Sequence, residues 1–274
     1  MFDYPYINHV LFPAGSGGKF LINCLSLNDK AVFQDKKLAQ EQLDGNFTID
    51  DKVNYINNHL KIARETNNWN DLSLGDHELF NMISDRYTDT FPEFVKRKLN
   101  TPVIQKCISN ELHLFTTIHN FVELKHTLDI WLNGKLIVFK NYKNFIDTRA
   151  SNRQIKNMWD VIKGEDWGEA PADLYSYNQL PELVRDELAN DFNNEIYEYL
   201  LDKEELDLLW HVYLKKLSKS VNLFEFDVEY AYNNSENFYK TYLQVCNYLD
   251  LPHTDQDIIT RYFNEWKKTI LCVN

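Results

Sequence analysis

The chain has 274 residues, and its 29 Lys+Arg against 41 Asp+Glu leave a formal net charge of −12. Hydrophobic residues at 44% and aromatics at 14% can build a sizeable core and exclude a mainly disordered or collagen-like chain. The acidic balance argues against general adhesion to DNA, RNA or anionic membranes, so a local gathering of glycines and lysines stands out against it.

Residues Asn8 to Phe12 read as a short buried strand, Pro13 to Gly18 as a glycine-rich turn, and Phe20 to Leu27 as an apolar helix. Strand, glycine loop and helix form the opening unit of a nucleotide-binding α/β fold. Residues 28–100 are polar and asparagine-rich, with one amphipathic helix from Asp50 to Thr66, where Val53, Ile56, Leu60 and Ile62 or Ala63 recur at helical spacing. A second strand is expected over Leu112 to Ile118, ending at His119, and a third over Lys135 to Lys140 after the turn at Asn133 and Gly134. Phe121 to Leu132 reads as a helix between them, so the unit is strand, helix, strand and predicts parallel pairing. Lys143 to Asp160 is helical in pattern, Gly164 to Pro181 loop-rich, and Pro181 to Trp210 a long acidic helix. A fourth strand, Asn222 to Asp227, precedes helices over Ser235 to Leu249 and Asp255 to Leu271, with Ser235 and Pro252 as start and stop signals of the first.

Neither a repeat nor a linker interrupts the chain, which is expected to be one domain over residues 1–274. No run approaches 18 apolar residues and no basic segment followed by an apolar one opens the sequence, so a protein of the cytoplasm is expected. Cys24, Cys107, Cys246 and Cys272 lie far apart in apolar surroundings without a Cys-x-x-Cys pair, and are expected to be reduced core thiols.

Three places can carry chemistry. In Pro13-Ala14-Gly15-Ser16-Gly17-Gly18-Lys19-Phe20 the glycines let backbone N–H groups converge on a phosphate-sized anion. The helix that follows adds its positive end, and Lys19 adds a full charge. Gly18 and Lys19 fit the pattern G-x-x-x-x-G-K-[ST], while Pro13 replaces its first glycine and Phe20 the hydroxyl residue that holds Mg²⁺. An anion cradle without that hydroxyl suits a donor that transfers its group without metal. His119, at the carboxyl end of the second strand, can accept a proton near neutral pH. Lys140 ends the third strand and Thr148 follows eight residues later, a spacing that can close both side chains on one phosphate.

Taken together, these places resemble the sulfotransferases that use 3′-phosphoadenosine-5′-phosphosulfate. In that family a loop of the form P-K-S-G-T-T-W follows the first strand, a catalytic histidine stands in a K-T-H context, and R-N-P-x-D-x-x-x-S follows about twenty residues later. Pro13 to Leu21, Thr117-Ile118-His119, and Lys140-Asn141-Tyr142 with Thr148 keep that order, and F-E-F-D with the helix from Ser235 is similar to the family's closing segment. The likeness runs over residues 8–27, 112–157 and 222–270. It departs at Ala14 or Gly15, where the family has Lys, at Tyr142, where it has Pro, and at Lys140, where it has Arg.

The resemblance implies a P-loop NTPase-like three-layer α/β fold with a mainly parallel central sheet and helical insertions at about 28–100 and 158–215. It implies a sulfotransferase in which residues 13–20, Lys140 and Thr148 bind 3′-phosphoadenosine-5′-phosphosulfate, Lys19 and His119 are catalytic, and no metal is required. The acceptor would be a small molecule or a glycan, with no nucleic acid or membrane as partner. Two other readings stay open: a P-loop kinase or NTPase with Asp227 as the magnesium carboxylate, and a nucleotide-binding protein without catalysis.

Overall fold

The structure, a computed structural model, describes residues 6–12, 16–33, 36–66, 100–118, 134–142 and 222–271. Four strands, β1 (Ile7–Leu11), β2 (Leu114–Ile118), β3 (Lys135–Lys140) and β4 (Leu223–Asp227), form one all-parallel sheet in the order β2-β1-β3-β4. All five residues of β1 are buried, and so are those of β2, as expected for strands of a parallel sheet covered on both faces, although Asn8, His9, Thr116 and Thr117 are polar. In register, Val10 lies opposite Thr117 on one side and Ile137 on the other. β2 and β3 are parallel, as the sequence pattern requires, yet they are not neighbours, because β1 is inserted between them. Ala31 adds a single parallel bridge to His113 on the outer side of β2.

Seven helices accompany the sheet among the described residues: α1 (Gly18–Ser26), α2 (Lys36–Leu43), α3 (Ile49–Thr66), α4 (Pro102–Ser109), α5 (Val228–Ala231), α6 (Ser235–Leu249) and α7 (Gln256–Leu271). α6 starts where Asn234 accepts a hydrogen bond from the Asn237 N–H at 2.9 Å, and ends at Asp250, whose φ of 60° lies in the left-handed region. Its Phe238, Tyr242, Val245 and Leu249, together with Ile259, Tyr262, Phe263 and Trp266 of α7, join α1 and α3 in the main core. A smaller core of Ile7, Val32, Ala39, Val103, Ile104, Cys107 and Leu114 lies where α2 and α4 pack together.

The expected helix over residues 50–66 forms, and Val53, Ile56 and Leu60 face inward, but Ile62 is 43% exposed. Its inward face instead carries a lysine: Lys52 is 1% exposed and donates to the carbonyls of Ser26 at 2.8 Å and of Asn28 and Ala31 at 3.2 Å. Thr48 opens α3 with a reciprocal cap, donating its N–H to Asp51 and accepting the Asp51 N–H on its hydroxyl. Cys24, Cys107 and Cys246 are buried thiols outside any disulfide, and burial pushes Cys107 up to about 12 and Cys246 to about 11. The helices expected over 121–132, 143–160 and 181–210 lie outside the described residues, as does Cys272.

Packing alone requires the glycine at position 18. A Cβ on Gly18 would stand 2.2 Å from the ring of Phe12, which is itself buried and packed against Phe139 at 5.6 Å between centroids. Gly18→Ala is therefore expected to cost about 1–3 kcal/mol and to lower the thermal midpoint by several degrees. An unchanged melting curve would mean that the Phe12 ring swings aside freely.

Candidate functional site

In an all-parallel sheet every strand delivers its chain to the same edge, and ligands bind outside the carboxyl ends where connections diverge. Here the chain leaving β1 proceeds to β2 on one side, and the chain leaving β3 proceeds to β4 on the other. The divergence falls between β1 and β3. Leu11 pairs with Val138, so Lys140 stands two residues beyond that rung, and the glycine turn follows β1 directly. The start of α1 and Lys140, the described parts of the first and third sequence-derived places, therefore share one edge of the sheet.

On the β1 side, Ser16 is fully buried and Gly17 adopts a φ of 82°, a conformation that favours glycine. Gly17 is the N-cap of α1 and supplies no side-chain cap, while its carbonyl accepts from the Leu21 N–H at 3.3 Å. The helix thus opens without a side-chain cap, with the buried Gly18 as its first residue and the partly exposed Lys19 as its second. Phe20 points the other way. It is 4% exposed and stacks on Trp266 at 4.0 Å with 6° between the planes, with Tyr262 and Phe238 also in ring contact. The missing hydroxyl after Lys19 is thus explained by an aromatic anchor that ties α1 to α7.

On the β3 side, Lys140 pairs with Glu225 of β4 at 2.7 Å, both groups partly exposed. Asn141 has a φ of 51° and donates from its amide to Asp227 Oδ2 at 2.8 Å, while its carbonyl accepts from the Glu229 N–H at 3.1 Å. Asp227 caps α5, accepting the Tyr230 N–H on Oδ1 at 3.0 Å. Both of its oxygens therefore hold the turn after β4 against the turn after β3. Tyr142, where the family has proline, is fully buried in the core. Pro13, Ala14, Gly15, His119 and Thr148 lie outside the described residues.

Two histidines that the sequence did not single out are core residues. His9, in the middle of β1, shares a 2.8 Å hydrogen bond with the Thr116 hydroxyl, and burial pushes its pKa down to about 3. Asn8 donates to His113 Nδ1 at 3.1 Å, and His113 is pushed down to about 4, mainly by burial and further by Lys135. Both are neutral near pH 7 and serve the packing of β1 against β2. Among the described residues no group of three or more His, Cys, Asp or Glu is placed to hold a metal ion, and no helix is long and apolar enough to cross a membrane.

The fold and the site define an α/β protein with an all-parallel sheet and a glycine turn at a point of diverging connections. No family model matches the chain, and neither does any curated protein or solved structure.

Proposed function

We propose that the chain is a sulfotransferase that binds 3′-phosphoadenosine-5′-phosphosulfate at the carboxyl edge of β1 and β3 and passes its sulfuryl group to a hydroxyl or amine. The observation that carries this reading is the opening of α1 at Gly17-Gly18-Lys19, without a side-chain cap, at the end of β1 and beside β3. An N-terminal helix end with glycines and a lysine stabilises negative charge, and it does so against an acidic chain average. In the proposed step the acceptor oxygen or nitrogen attacks sulfur, the bridging S–O bond breaks and its electron pair goes to the 5′-phosphate. Lys19 and the α1 N–H groups stabilise that oxygen, His119 takes the acceptor's proton, and Lys140 with Thr148 holds the 3′-phosphate.

The magnesium-dependent reading has less support. Phe20 is committed to the aromatic core, and Asp227 uses both oxygens to fasten two turns. The three buried thiols fit a reducing compartment, in keeping with a cytoplasmic enzyme whose acceptor is a small molecule or a glycan. Calorimetry with adenosine 3′,5′-bisphosphate, ADP and ATP, each with and without Mg²⁺, tests the proposal. Metal-independent binding that needs the 3′-phosphate is expected. Glu225→Gln, which releases Lys140 from its carboxylate, should strengthen that binding several-fold. Binding that ignores the 3′-phosphate and requires Mg²⁺ would replace the sulfotransferase with an NTP enzyme.

A further inference from the structure

The glycine turn is held from far along the chain. Tyr232, the residue that closes α5, lies in the core and donates its hydroxyl to the Gly17 carbonyl at 2.8 Å. Its ring edge stands 2.8 Å from the position a Gly17 Cβ would take, with Trp266 at 3.1 Å. Lys267 of α7 donates in turn to the Tyr232 carbonyl. Tyr232 is thus tied to the turn through its side chain and to the carboxy-terminal helix through its backbone.

The consequence follows from peptide geometry. A trans peptide is planar, so its C=O and N–H point in opposite directions. With the Gly17 carbonyl drawn inward by Tyr232 and by the Leu21 N–H, the Gly18 N–H must face outward beyond the start of α1. The Leu21 bond alone is long at 3.3 Å, and a glycine with φ of 82° has other conformations within reach. We propose that Tyr232 is a positioning residue of the glycine turn: its hydroxyl locks the Gly17–Gly18 peptide with the N–H facing beyond the start of α1, and so couples the carboxy-terminal helix to anion binding at that helix end. The ligand rests on the reading given under Proposed function, whereas the lock itself does not. Burial holds the Tyr232 phenol well above its ordinary range, so it remains a donor at neutral and moderately alkaline pH.

Tyr232→Phe keeps the ring and removes only the hydroxyl. In the ligand-free protein the Gly17 carbonyl-carbon and Gly18 amide resonances should shift and broaden. Affinity for adenosine 3′,5′-bisphosphate should fall about tenfold, the scale of one hydrogen bond. Tyr242→Phe is the control, since it removes another buried hydroxyl, one that accepts the Thr254 N–H, and it should change neither. Should Tyr232→Phe not fold, Lys267→Met loosens Tyr232 from α7 and should move the same resonances to a smaller extent. Unmoved resonances overturn the lock. Moved resonances with unchanged affinity, or an equal loss in Tyr242→Phe, overturn the positioning role and leave the donor site standing. A wild-type chain that binds no adenosine 3′,5′-bisphosphate overturns both.

Discussion

Lys52→Met is expected to lower stability by about 3 kcal/mol, which for a chain of this size is a fall in the thermal midpoint of roughly 6–12 °C. Lys52 reaches from α3 under the end of α1, and its three N–H bonds meet three backbone carbonyls. Asn28 and Ala31 keep other donors without it, the Ala31 N–H and the Gln42 amide respectively. The Ser26 carbonyl, in the last turn of α1, loses its buried charged donor, next to a Ser26 hydroxyl that already lacks a partner. Methionine replaces the aliphatic stem but supplies no donor. The substitution also has a pH signature. Burial pulls Lys52 down to about 8 from an ordinary 10.5, with Asp29 opposing the shift. Between those values the unfolded chain holds a proton that the folded one has released, so this group makes stability rise with pH across that window. Its burial penalty is complete below about pH 8. Wild type should therefore gain on Lys52→Met as pH is raised from 8 to 10.5, and parallel denaturation curves across that range would show that Lys52 keeps its ordinary affinity for protons.

On the proposed sulfotransferase reading, Lys19→Ala is expected to slow sulfuryl transfer about a hundredfold, the loss of roughly 3 kcal/mol that removal of one preorganised charge-stabilising contact produces. Lys19 is partly exposed on the first turn of α1, so its removal should leave the melting curve nearly unchanged. That separates it from Gly18→Ala, which acts on the fold. Binding of adenosine 3′,5′-bisphosphate should weaken by about 10–100-fold, and the deficit should shrink as salt is added, because the lost term is partly coulombic. A Lys19→Ala chain that binds and transfers like wild type would remove the glycine turn from the donor site.

Much of this architecture was legible from local pattern. Each of the four strands lies within two residues of its expected position, β3 and α6 without any difference, because short apolar runs bounded by turn residues and apolar residues at helical spacing are local signals. What escaped was short or held together by distant partners. α2 and α4 are eight residues each and gain their burial from a small core that also includes Ile7 and Leu114. α5 is four residues long and follows from the Asp227 cap. The inward turn of Lys52 runs against the usual exposure of lysine, and the carbonyls of Ser26, Asn28 and Ala31 that its ammonium reaches account for it.

At the candidate site, Gly17, Gly18 and Lys19 were singled out from the sequence for an anion, and the structure adds a second reason for both glycines. Gly18 leaves room for Phe12, and Gly17 for Tyr232 and Trp266, residues up to 249 positions away along the chain. Phe20 reads in the sequence as a departure from a nucleotide-binding pattern. In the fold it is the residue that stacks α1 on α7. Nor did Lys140 reveal in the sequence that Glu225 stands beside it, since the pairing of β3 with β4 joins segments separated by more than eighty residues.

By itself the sequence determined the α/β class, the parallel sense of the strands and the place of the glycine turn before α1. All of these follow from the burial and backbone freedom of consecutive residues. The tertiary structure alone decided that β1 divides β2 from β3, that the start of α1 and Lys140 lie at the same edge of the sheet, and that Tyr232 holds Gly17. Strand order and such contacts depend on which distant surfaces exclude water together, and no local periodicity encodes that.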